Sequence, residues 1–64
     1  MKLNFKYDIG EMVIFKNKIG IINAITIFKI GSNYYHNYHI LDKQNLQLYE
    51  TIFEEEIQKE ENNK

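Results

Sequence analysis

Five isoleucines fall within residues 21–30, and this short stretch limits the fold more than any other part of the chain. Side chains branched at Cβ are restricted in a helix and pack well on a pleated sheet, so they favour strands. A helical face could also be drawn through the stretch. However, Gly20 and Gly31 bound it and no capping box precedes it. The pattern therefore predicts a long β-strand.

Shorter runs rich in β-branched and aromatic residues occur on both sides of this strand. They predict three further strands, at residues 11–16, 34–41 and 46–51. Residues 17–20 are predicted to form a tight connection in which Gly20 takes a positive φ, since glycine does so without steric cost. The polar residues 31–33 and 42–45 are predicted to form the other turns.

Four or five short strands joined by tight turns are typical of a small barrel. We therefore predict a mostly β fold, a small antiparallel barrel over residues 1–57, followed by an acidic, frayed tail at residues 58–64. A short acidic helix is predicted from Phe53, with Thr51 as N-cap and Glu54 as its capping-box partner. The side chains expected to face the interior are Val13, Phe15, Ile19, Ile22, Ile25, Tyr38, Ile40, Leu46 and Leu48.

The absence of cysteine from the 64 residues removes disulfides, thiolate metal ligands and thiol nucleophiles. A domain this small buries little surface and has no space for a deep catalytic pocket. Arginine, the usual bidentate ligand of phosphate and guanine, is also absent. The abundance of Ile, Lys and Asn is typical of AT-rich coding, as in a low-GC bacterium, its phage or its plasmid.

Charge is divided unevenly along the chain. Residues 1–49 hold six lysines and three acids, a balance of +3, whereas residues 50–64 hold six glutamates and two lysines, a balance of −4. The acidic residues singled out in this second part are Glu54, Glu55, Glu56, Glu60 and Glu61. Such a segment is interpreted either as a solvated terminal helix or as an acidic tail that docks on a basic partner or screens its own domain.

Few residues carry catalytic or ligand-binding chemistry. His36 and His39 lie three apart in a predicted strand, which places them on opposite faces and makes a shared metal site unfavourable. Ser32 lies in a turn sequence, and Glu54 lacks an apolar pocket that would raise its pKa. We predict no catalytic residue, metal site or cofactor, and hence no enzyme.

Several segments resemble the SH3-like small barrels, a group that includes KOW and Tudor domains and small barrel subunits of photosynthetic and redox complexes. The resemblance covers residues 8–57. It rests on Gly10 before the first strand, Gly20 before the second, the Tyr38-His39-Ile40 segment and the acidic-aliphatic residues 53–57. It implies a barrel that serves as a binding or adaptor module. The basic residues typical of KOW domains are sparse here.

A cluster of aromatic and histidine side chains is the strongest candidate surface. If Tyr38 faces the interior, His36 shares its face, while Tyr35, Asn37 and His39 face outward. Tyrosine suits interfaces because it offers a large contact area and a polar group. The predicted interaction residues are Tyr34, Tyr35, His36, Tyr38, His39 and Tyr49.

These residues lead to three hypotheses. The first is a protein-interaction module that binds a larger protein, such as a phage- or plasmid-encoded inhibitor or adaptor, an anti-defence protein among them. The second is a barrel that binds RNA or single-stranded DNA, with Lys16, Lys18 and Lys29 meeting phosphate. The third is a homo-oligomer that sequesters a small ligand. We expect a cytoplasmic protein without a membrane partner, because lysines interrupt the most apolar stretch, residues 12–30.

Overall fold

The computed structural model describes residues 4–60, which form one five-stranded antiparallel sheet in the order β4-β3-β2-β1-β5. The strands are β1 (Met12–Phe15), β2 (Lys18–Ile30), β3 (Asn33–Asp42), β4 (Leu48–Ile52) and β5 (Ile57–Lys59). The predicted mostly β fold is confirmed. In the described residues no ladder joins the edge strands β4 and β5, so the predicted closure into a barrel is wrong. β1 and β4 have four and five residues against 13 in β2 and 10 in β3, so they pair with only one end of these two long strands.

The predicted acidic helix is also wrong. Its place is taken by a single 3₁₀ turn, Glu54–Glu56, whose N-cap is Phe53 rather than Thr51. The Glu56 side chain accepts a hydrogen bond from the Phe53 N–H at 3.1 Å, so Glu56 takes the role expected of Glu54. The turn ends because Ile57 is buried and begins β5, which pairs with β1 to Lys59, two residues past the predicted boundary of the domain. No helix within residues 4–60 is long and apolar enough to cross a membrane.

The first connection differs from its prediction. Lys16 and Asn17 have φ values of 49° and 62° and form the two-residue loop between β1 and β2. Two successive positive φ values are typical of a type I′ turn, whose twist suits an antiparallel hairpin. Gly20 therefore lies inside β2, opposite Val13 on one side and Asp42 on the other. Its role is steric, because an added Cβ would approach the Leu41 carbonyl oxygen to 2.8 Å.

The described residues place eight hydrophobic side chains in the interior, and the sequence predicts five of them. The buried side chains are Tyr7, Val13, Phe15, Ile22, Tyr38, Ile40, Ile52 and Ile57. Ile25 packs against them and is partly buried.

Three residues predicted to face the interior are exposed instead. Because Gly20 and Ile22 face the interior, strand alternation turns Ile19 outward. Leu46 lies in the loop before β4 with a φ of 60°, and Leu48 occupies the first position of that strand. These three assignments were wrong.

A hairpin arm extends beyond the interior. We call residues 26–37 the arm: here β2 and β3 pair with each other, and the described residues supply neither strand with another partner. Its loop contains Gly31 at a φ of 62°. The described structure is correspondingly elongated, with principal extents of 42 × 26 × 17 Å.

Candidate functional site

A hydrogen-bonded cluster lies where the arm meets the interior. Glu54 Oε2 accepts the Tyr38 phenol at 2.7 Å and lies 2.7 Å from His36 Nε2. The same oxygen accepts the Lys6 backbone N–H at 3.1 Å. We call Glu54, His36 and Tyr38 the Glu54 cluster.

Two separate parts of the chain supply the Glu54 cluster, and a third packs against it. His36 and Tyr38 lie two apart in β3, so they share a face, and Glu54 begins the 3₁₀ turn that follows β4. The N-terminal segment joins them because Phe5 packs edge-on against His36, with centroids 4.9 Å apart. Tyr7 is anchored beside them, since its phenol donates to the Ile57 carbonyl at 3.0 Å. The cluster thus holds together segments far apart in the sequence.

The protonation states of the Glu54 cluster follow from these contacts. Burial, with a hydrogen bond to Glu54, raises the pKa of Tyr38 to about 12. Burial opposes ionisation of Glu54, but hydrogen bonds from Tyr38, His36 and the Lys6 N–H outweigh it and lower the pKa of that carboxyl. Neither the phenol nor the carboxyl therefore exchanges a proton readily near neutral pH. The arrangement suits a structural clamp better than acid–base catalysis.

We expect Glu54→Gln to destabilise the fold by about 1 kcal/mol at pH 7, since a half-exposed ionised acceptor is lost. The folded-state pKa of Glu54 is lowered, so its contribution is present above the unfolded-state pKa and disappears as pH falls through the folded-state value. Urea unfolding at pH 7 and at lower pH measures this difference. The exposed Glu55→Gln serves as control. An equal loss of unfolding free energy in both variants, or a loss that does not depend on pH, would contradict the stabilising role of the Glu54 cluster.

The outer face of the arm carries a second group of side chains. Phe28 and Tyr35 are cross-strand partners whose rings stack with centroids 5.7 Å apart. Further along the same face, Thr26 Oγ1 lies 2.7 Å from His39 Nε2, and Asn37 is buried with an Oδ1 that lacks a hydrogen-bond partner in the described structure. Tyr35 remains 44% exposed. This face therefore presents an accessible Tyr35 ring that packs on Phe28.

The six predicted interaction residues do not form one surface. Tyr34 and Tyr35 are exposed on opposite faces of the arm, and His36 is held in the Glu54 cluster. Tyr38 is fully buried, so it belongs to the interior. Tyr49 is half-buried against Phe15, with centroids 5.2 Å apart. His39 is half-buried on the outer face.

The three lysines of the nucleic-acid hypothesis are also dispersed. Lys16 lies in the first turn, 3.5 Å from Glu56 Oε1. Lys18 begins β2, whereas Lys29 lies near its other end with its ammonium 5.3 Å from the centre of the Tyr34 ring. Eleven residues of extended chain separate these two, or roughly 35 Å. They do not form a continuous basic patch.

The remaining predicted residues are the two histidines and the acidic residues of the C-terminal part. His36 and His39 lie on opposite faces of β3, and residues 4–60 bring together no group of three side chains able to hold a metal ion. Of the acidic residues, Glu55 is exposed and Glu60 half-buried, while Glu61 lies outside the described residues. Ile27 and Ile30 are exposed on the arm and were missed as surface residues, because the sequence does not show that β1 and β4 pair with only one end of β2 and β3.

Comparison with known proteins yields no relative on which to base a function. No protein-family model matches the chain, and neither a curated protein nor a solved structure does so.

Proposed function

We propose that the chain is a non-enzymatic interaction module that binds a larger protein through the arm. One observation carries the proposal: of the eight large hydrophobic side chains that are exposed among residues 4–60, four lie within this 12-residue segment. They are Ile27 and Tyr34 on one face of the arm and Ile30 and Tyr35 on the other. Lys29 is the one charged residue of the arm when histidine is neutral. Apolar and aromatic surface with little charge is characteristic of the centre of protein interfaces.

The Glu54 cluster, at the base of the arm, supports this proposal. An exposed two-stranded hairpin is marginally stable alone, so a binding surface on one needs support from the domain. Glu54 supplies it by tying β3 to the 3₁₀ turn and the N-terminal segment. A preordered arm loses less conformational entropy when it binds.

We also propose that the sheet is an open relative of the SH3-like small barrels. Three of the motifs behind that resemblance take comparable places: Gly10 precedes β1, Tyr38 and Ile40 occupy β3, and the acidic residues lead into β5. Gly20 departs from the pattern, since it lies within β2 rather than before it.

The interaction is tested with Ile30→Ser, which removes the most exposed large hydrophobic side chain of the arm, at 62% exposure, without touching the interior. Leu46→Ser is the matched control, because Leu46 is 71% exposed and lies outside the arm. Affinity capture from cells that carry the gene should recover the same protein with wild type and control. Binding of the purified partner to Ile30→Ser should be weaker by about tenfold or more, equivalent to about 1.4 kcal/mol.

Two results would overturn the proposal. Equal affinity of both variants for every captured protein would show that the arm is not the binding surface. Binding of wild type to single-stranded RNA or DNA with a steep salt dependence would instead favour the nucleic-acid hypothesis.

A further inference from the structure

We propose that the free edge of β3 in the arm, residues 33–37, pairs antiparallel with the same segment of a second copy of this chain. β4 covers β3 only between Tyr38 and Leu41 and then turns away at Phe53. Within residues 4–60 no strand pairs with residues 33–37 at this edge, so alternate backbone groups there lack a strand partner. The contact joins two copies and does not depend on the larger partner proposed above.

The composition of this edge distinguishes it from the other free edges of the described sheet. Soluble proteins commonly protect edge strands with charged residues or proline. β4 contains Glu50, β5 contains Lys59 and the free part of β2 contains Lys29. Residues 33–37, Asn-Tyr-Tyr-His-Asn, contain neither a lysine, an acid nor a proline. This edge is the unprotected one.

The structure leaves space beside the edge. A groove of about 490 Å³ is lined by Tyr34, Tyr35, His36, Phe53, Glu54 and Glu55. It lies along the line that β4 would have followed had it continued past Ile52, so a strand from outside can take that position.

The segment is complementary to itself about Tyr35. A two-fold axis there sets Tyr35 opposite Tyr35 and Tyr34 opposite His36 of the other copy. Because Phe28 stacks on Tyr35 within each copy, the pairing creates a row of four aromatic rings across four strands. These are favourable cross-strand pairs, and none sets like charges opposite each other.

Charge also favours a second copy on the face of the arm that carries Lys29, Tyr34 and His36. Lys29 lies beside Tyr34, and His36 contacts Glu54. Since Tyr34 faces His36 of the other copy, each Lys29 is brought towards Glu54 and Glu55, which line the groove of that other copy. Opposite charges that meet in this way fix the register of an interface.

Charge-swapped variants at the symmetry axis test the pairing. Tyr35→Lys and Tyr35→Glu each set two like charges opposite each other, so each should weaken self-association by about tenfold or more. An equimolar mixture should recover association as a heterodimer. Ile9→Lys, at a 64% exposed residue outside the arm, should associate like wild type. Sedimentation equilibrium between about 10 µM and 1 mM covers the affinity expected of an interface below standard size.

Hydrogen exchange of the wild-type protein gives a readout that needs no substitution. Amides of residues 33–37 should exchange more slowly as protein concentration rises, while those of the β1–β2 turn should not change. A monomeric wild-type protein at 1 mM, a dimer that both single variants retain, or a mixture that fails to associate would each overturn the proposal. Ile30→Ser reports on the larger partner separately, because Ile30 lies on β2 and not on the pairing edge.

Discussion

Gly20→Ala is expected to destabilise the protein by about 3 kcal/mol, a large part of the stability of so small a domain. The added methyl group would lie 2.5 Å from Ile40 Cγ2 and 2.7 Å from Phe15 Cε1. Both side chains are buried, and the Leu41 carbonyl oxygen at 2.8 Å belongs to the backbone of β3, so none of the three can move freely. Alanine ordinarily suits a strand better than glycine, so a loss here reports the clash rather than strand propensity.

Gly31→Ala separates this steric effect from backbone strain. Nothing lies within 4 Å of the position of its Cβ, but its φ of 62° disfavours a side chain. Gly31→Ala should therefore lower the free energy of unfolding by only about 1 kcal/mol. Urea unfolding followed by circular dichroism measures both variants. If Gly20→Ala were as stable as wild type, the close packing of β2 against β1 and β3 would be wrong.

The same glycine shows where sequence reasoning reaches its limit. A glycine after Asn-Lys-Ile predicts a turn, because local sequence gives glycine a conformational role more readily than a steric one. Here the two-residue turn is formed by Lys16 and Asn17, and Gly20 is required by side chains that approach from two other strands. Contacts of this kind depend on the tertiary fold and leave no local pattern.

Strand positions were predictable where alternation is regular. Val13 and Phe15 are two apart in β1, as are Tyr38 and Ile40 in β3, and all four are buried. Ile22 and Ile25 are three apart, so a regular strand would place them on opposite faces. The register shift between Ile22 and Ala24 adds one residue and turns Ile25 back towards the interior. The sequence predicts that both of these isoleucines pack inside but does not locate the bulge that allows it.

The Glu54 cluster could be predicted only in part. Alternation in β3 places His36 and Tyr38 on one face, and the structure has both side chains in contact with Glu54. The run of three glutamates, however, favoured a helix or tail on local grounds. Its position depends on Ile57, whose burial beside β1 draws the chain back to the sheet. One buried side chain thus outweighs the helical preference of three exposed or half-exposed ones.

Tyr38→Ala should cost about 3 to 5 kcal/mol and leave little folded protein, because this side chain is completely buried. Tyr38→Phe removes only the hydroxyl group and so measures its contribution separately from that of the ring. The ring keeps its edge-on contact with Tyr7, at 5.7 Å between centroids, but Glu54 loses its donor at 2.7 Å. We expect a loss of about 1 to 2 kcal/mol at pH 7. Tyr34→Phe is the matched control, since Tyr34 is exposed on the arm.

The pH dependence gives this prediction its sharpest form. Folding raises the pKa of Tyr38 from 10.0 to about 12. The neutral phenol is therefore favoured in the folded state, and its contribution is complete below pH 10 and lost as pH rises towards 12. Two units correspond to about 2 to 3 kcal/mol. Wild type and Tyr34→Phe should lose this stability in urea unfolding across that interval, whereas Tyr38→Phe should lose less. Parallel losses in all three proteins would show that the phenol does not bind the Glu54 carboxylate, and would contradict the stabilising role of the Glu54 cluster.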